Sequence, residues 1–111
     1  MDEGKHVELA SDDAPEERTP LEAHAAFIAD KLPTAREALE EDWVSALTIV
    51  LPPALSEHDD WRRALAGDLA RAYTPKRVNI AAGKKGEALE TLCVYLRDAP
   101  GVTGHYVQAH D

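Results

Sequence analysis

The sequence predicts an α/β domain: a small, mostly parallel sheet of three to four strands joined by three crossover helices. Three observations predict it. Short runs rich in β-branched residues alternate along the chain with longer segments of helical periodicity, the order that builds parallel strands with returning helices. One of those runs, WVSALTIVLPP from Trp43 to Pro53, is apolar almost without alternation, as a strand covered on both faces must be. Breaks at Thr74-Pro75, Gly83 to Gly86 and Ala99-Pro100-Gly101 fall between the segments and not within them.

At the start of the chain, KHVELA alternates apolar and polar residues around Val7 and Leu9, the pattern of a short strand. Residues 1–5 before it are expected to be disordered, and residues 11–18 to form an acidic, proline-broken linker. Thr19-Pro20-Leu21-Glu22 then combines an N-cap hydroxyl, a proline at the first helical position and a glutamate three residues after the cap. A helix starts here, with Leu21, Ala25, Ile28, Leu32, Ala35 and Leu39 as its expected apolar side. Pro33 lacks an amide hydrogen and is expected to kink that helix or split it.

The central strand follows. Ser56 and Asp59 form a second cap-like pair before a helix with Trp61, Leu65, Leu69 and Ala72 inward, ending near Thr74-Pro75. KRVNIAAG is the next strand. The GKKG turn leads into a third helix from Glu87 to about Arg97, with Leu89, Leu92, Cys93 and Leu96 inward. GHYVQAH, polar at both parities, reads as a closing edge strand.

Size and charge narrow the function classes. A chain of 111 residues suits one domain over 1–111 with a core that needs no disulfide or metal. The formal charge of −9, from 21 acidic and 12 basic side chains, opposes both nucleic acid and an anionic membrane surface, so neither is an expected partner. Cys93 is the single cysteine, which excludes an intramolecular disulfide. No basic start followed by an apolar run marks a signal peptide, and no apolar run is long enough to span a bilayer. Cytoplasmic residence is the default expectation.

Candidate chemical groups are sparse. His6, His24, His58, His105 and His110 lack metal-ligand clustering, and His105 and His110 fall on opposite faces of a strand. No metal site is expected. Glu57-His58-Asp59-Asp60 offers carboxylates beside an imidazole, but a helix start attracts negative charge without any catalysis. Cys93 lies on the apolar side of its helix with no basic neighbour to stabilise a thiolate, so it reads as a buried, inert thiol. Trp43 and Trp61 are expected in the core or at an interface. Gly83-Lys84-Lys85-Gly86 is the one candidate site: an exposed turn entering a helix, where amides and two ammonium groups can meet an anion. The plainer reading of the same loop is a strand-to-helix turn with solvated lysines.

Several segments together resemble a known family. ALAGDLARAYTPKRVN leading into VNIAAG, the closing VTGHYV from Val102 to Val107, and ALTIV after a helix interrupted at Pro33 are similar to the second half of the short-chain dehydrogenase/reductases. The resemblance covers most of residues 20–111 and implies a truncated Rossmann-like fold. It also implies positions for that family's functional residues, and the expected residues are missing from them. Leu55 and Asp59 stand where the family's tyrosine and lysine fall, and no Tyr or Lys occurs between Asp42 and Tyr73. Pro52, Pro53 or Ala54 takes the place of the serine, and the asparagine falls near Pro20. Gly4, Gly67, Gly83, Gly86, Gly101 and Gly104 do not form the glycine-rich dinucleotide turn. NAD(P) binding and hydride transfer by the family mechanism are therefore not expected, and no catalytic residue is assigned.

The resemblance further implies contact through the helices at residues 20–42 and 56–74, which in the reductases commonly build the dimer. The expected role is a non-catalytic one exercised through protein contact, as a homodimer or with a full-length reductase. The alternative is a protein or enzyme that binds a nucleotide or other small anion at Gly83 to Gly86.

Overall fold

A computed structural model describes residues 4–11 and 18–110. The expected disorder of residues 1–3 and most of the expected linker, 12–17, lie outside the described residues. Strand β1 spans Lys5–Ala10, so Lys5 belongs to the sheet and not to a disordered start. Helix α1 covers Pro20–Asp30, α2 Leu32–Leu39, β2 Val44–Leu51, α3 Asp59–Ala72, β3 Arg77–Ala82, α4 Glu87–Asp98 and β4 Tyr106–Gln108. All pairings are parallel, in the sequential order β1-β2-β3-β4. This is the truncated Rossmann-like α/β architecture, with the first predicted helix realised as two.

The start of α1 forms as its residue types dictate. Thr19 Oγ1 accepts from the Glu22 amide at 3.1 Å and Glu22 Oε1 accepts from the Thr19 amide at 2.9 Å, so two amides that a helix start leaves free are satisfied. The break near Pro33 is a full split, and Pro33 occupies the first turn of α2, where its missing amide hydrogen costs nothing. That split overturns the expected apolar face. A single periodicity read across both helices put Leu21 and Ile28 inward, yet Leu21 is 80% exposed and α1 buries Ala23 and Phe27 instead. In α2 the expected Ala35 and Leu39 are buried.

Alternation in the sheet makes two faces. Leu47, Ile49, Leu51, Val78 and Ile80 point toward α1, α2 and α3 and form the main core with Phe27, Leu65 and Leu69. Ala81 and Val50 point the other way, against Leu89, Cys93 and Leu96 of α4. Trp43 is half exposed and lies outside both clusters, whereas Trp61 packs against the first. Ala72, expected inward, is exposed because α3 turns its Ala66, Leu69 and Ala70 side to the sheet.

The placement of α4 answers a question the sequence leaves open. With strands in sequential order, crossovers of one hand gather their helices on one face. Helix α3 lies on the first face and α4 on the second, so the β3-α4-β4 crossover has the opposite hand to β2-α3-β3. Side chains of β3 fix it there. Arg77 donates to the carbonyls of Leu96 at 2.8 Å, Ala99 at 3.0 Å and Arg97 at 3.1 Å, satisfying the end of α4 with a cation where the helix dipole favours one. Buried Asn79 holds the following loop, donating to Val102 O at 2.9 Å and accepting from the His105 amide at 3.0 Å.

Candidate functional site

Parallel strands bring all their carboxyl ends to one edge of the sheet, and loops leaving that edge form its crevice. Here Ser11 follows β1, Pro52 and Pro53 follow β2, and Gly83 and Lys84 follow β3. Two hollows flank the end of β3. One, of about 200 Å³, lies toward β4 and includes Gly83, Lys84, Gln108 and His110. The other, of about 140 Å³, lies toward β1 and includes Ser11, Pro52, Gly83, Lys84 and Lys85.

The structure thus brings three of the four candidate loop residues to this crevice, and Gly86 stands outside both hollows. Gly86 serves the backbone: its φ of 151° at the N-cap of α4 is a conformation that side chains disfavour. Gly83 is tightly fitted, since a Cβ there would lie 3.0 Å from that of Ala109. Lys84 and Lys85 are exposed. The first turn of α4 already carries Glu87 and Glu90, which answer the positive end of the helix and weaken its pull on an external anion.

On the far side of β2 lies a smaller and more enclosed cavity of about 20 Å³, whose lining includes Ser11, Arg18, Phe27, Pro52, Trp61 and Arg62. Arg62 is only 2% exposed. One guanidinium nitrogen donates to Pro52 O at 2.9 Å and to Tyr106 Oη at 3.1 Å, and the group lies 5.6 Å from the Trp61 ring and 5.7 Å from the Tyr106 ring. Its Nε has no hydrogen-bond partner, and neither has the buried Ser11 Oγ. Sequence reading passed over both residues. A signal existed for Arg62: it lies three residues before Leu65 and four before Ala66, which places a charge on the inward side of α3.

The other sequence candidates take structural places. His58 is buried and accepts from Trp61 Nε1 at 3.0 Å. His24 stacks on Trp61 at 5.1 Å between ring centres, and His6 shares a 2.7 Å hydrogen bond with Thr48. Ser56 and Asp59 do not cap α3 through their side chains: a 3-10 turn, Ser56–His58, precedes the helix, and Asp59 Oδ1 accepts from Gln108 Nε2 at 3.2 Å. Burial, then the nearby charge of Glu8, pushes the Cys93 thiol up, away from the reactive thiolate. Among the described residues no three His, Cys, Asp or Glu side chains converge as metal ligands would, and no helix is long and apolar enough to cross a membrane.

An open parallel sheet with a crevice at its strand ends and helices on both faces defines a Rossmann-like α/β domain. The family model of the short chain dehydrogenase-like proteins, described as SDR-like, matches residues 9–109, and the chain belongs to that family. No curated protein and no solved structure matches it. At the positions implied by the family motif, Leu55 is 68% exposed in the β2-α3 connection and Asp59 opens α3. Neither the proton-donating phenol nor the ammonium group beside it is supplied there.

Proposed function

We propose that this chain is a non-catalytic member of its family that works through protein contact, as a dimer of two copies. The observation that carries the non-catalytic half is the pair Leu55 and Asp59, which lacks the phenol and the ammonium group with which a tyrosine and lysine donate the proton and hold the ribose. Contact is supported by an apolar groove of about 340 Å³ between α1-α2 and α3, lined by Ile28, Leu32, Leu65, Leu69 and Tyr73 among others. Ile28 is 42% exposed there and Leu21 stands out on the same helix. Arg36 and Asp68 also line the groove, a cation and a carboxylate that a second copy can meet at its rim.

Sedimentation velocity between about 10 and 500 µM tests this reading, since that span covers the affinities of ordinary reversible dimers. A dimer that Ile28→Asp with Ala72→Asp converts to a folded monomer is the expected result. A monomer throughout, together with turnover of NADH or NADPH by any carbonyl substrate, would sink it.

A second reading is favoured by one observation, the meeting of two hollows at Gly83 and Lys84. There the chain binds a small anion through Lys84 and Lys85. If Lys84→Ala with Lys85→Ala changes no ligand response, that reading is dropped.

A further inference from the structure

We infer that Arg62 and Ser11 form a receptor for the carboxylate group of a small organic acid at the carboxyl ends of β1 and β2. This goes beyond the contact reading and does not depend on it.

Among the described residues, Arg62 is a charge without a counter-charge. A guanidinium remains protonated at any ordinary pH, and removing it from water costs several kcal/mol unless an anion and hydrogen bonds replace the water. Arg62 is nearly inaccessible, yet no carboxylate among the described residues pairs with it. Its partners are a carbonyl, a phenol and two aromatic faces, all formally neutral. They hold the group in place and leave its charge and its Nε donor unanswered. Ser11 is 4% exposed, and its hydroxyl is likewise unpartnered on the same cavity wall. Both residues line one small space, whose other walls are Arg18 and the apolar Ala23, Phe27, Leu51, Pro52 and Trp61.

The size of that space selects the ligand. About 20 Å³ exceeds the room one water needs, and a carboxylate asks less of so small a space than a four-oxygen phosphate does. A planar carboxylate suits the space and the fork of an arginine alike. A lone water could bridge Ser11 and Nε but would leave the charge uncompensated. The cavity shares Ser11, Leu51 and Pro52 with the 140 Å³ hollow that reaches Lys84 and Lys85. An acid with its head at Arg62 therefore has a course for its stem along the strand ends, and a second acidic group would meet the lysines.

The test is an NMR titration of the uniformly 15N-labelled full chain, following the Arg62 Nε–Hε signal and the Ser11 amide. Acetate, succinate and inorganic phosphate are the probes. Acetate should shift both signals saturably in the millimolar range, as suits a ligand of about four heavy atoms. Succinate should bind more tightly, and phosphate should leave both signals in place. Ser11→Ala should weaken acetate binding roughly 3- to 10-fold by removing one hydrogen bond. Arg62→Lys should weaken it by about 10-fold or more through loss of the fork; should that variant fail to fold, the Ser11→Ala series decides alone. No response to either acid would overturn the inference and leave a water in the cavity. An equal response to phosphate would overturn the ligand assignment. A shift of Arg62 Nε in ligand-free protein on Asp12→Asn, Asp13→Asn, Glu16→Gln and Glu17→Gln would show that the chain's own carboxylates answer the arginine, which also overturns it.

Discussion

The two faces of the sheet are built from the same strands and held by different chemistry. On the first, α1, α2 and α3 cover Leu47, Ile49, Val78 and Ile80 with a continuous apolar core. On the second, α4 covers Ala81 and Val50 together with Val102 and Ala109, and the strands also carry His6, Thr48, Arg77 and Asn79, whose polar atoms are bonded to neighbouring side chains, loops and helix ends. The first face stabilises the sheet by removing apolar area from water, which is non-directional and tolerant of sliding. The second locates one helix by directional bonds, which stabilise less and specify more. The β3-α4-β4 crossover, opposite in hand to β2-α3-β3, is held by such bonds at the end of α4.

The largest effect should come from breaking the comparison inside one strand. Leu47 is fully buried on the first face and Val50 half-buried on the second. Leu47→Ala should cost about 2–5 kcal/mol, the range for a cavity in a packed core. Val50→Ala should cost about 1 kcal/mol, since fewer and partly wet methyl groups are lost. Urea unfolding of both variants, read by far-UV circular dichroism, checks the ratio; equal losses would mean that the two faces bury alike.

A smaller loss, about 1–3 kcal/mol, is expected from Asn79→Ala, which leaves Val102 O and the His105 amide without their partner. Its signature is local. Amide exchange should quicken in residues 99–108 and leave α1 to α3 protected, because those helices rest on the other face. Uniform acceleration throughout would deny the loop-holding role.

The smallest effect concerns pH. Burial holds His6 below its ordinary value of 6.5, aided by Arg77 and Arg97 and opposed by Glu8 and Asp98. As pH falls through that ordinary value the unfolded chain takes up the proton first, so native stability declines and then levels once the folded imidazole is protonated too. The wild type should therefore lose more stability than His6→Gln between about pH 7.5 and 5.5, measured as urea midpoints. Parallel midpoints in the two proteins would show that His6 contributes nothing to the pH dependence.

Much of the fold was legible because its signals are local. The Thr19 to Glu22 cap, the apolar β2 run and the GKKG turn each carry their own stereochemical instruction within a few residues. The face of α1 departs from the single apolar period because the helix ends and restarts at Lys31, where the angular phase is lost. Of the crevice, Gly83 to Lys85 was legible as a glycine- and lysine-containing turn, whereas Ser11 was not, since nothing near it marks a buried hydroxyl.

By itself the sequence determined the order of strands and helices, the family and the absence of any tyrosine or lysine between Asp42 and Tyr73, because each is written in residue type and spacing. Tertiary structure alone decided which face α4 covers and that Arg62, on the inward side of α3, is enclosed with no carboxylate beside it among the described residues. Both outcomes depend on contacts between residues far apart in the chain, Arg77 with the end of α4 and Arg62 with Pro52 and Tyr106. A side chain's solvation is a property of what folds over it, and no local pattern records that.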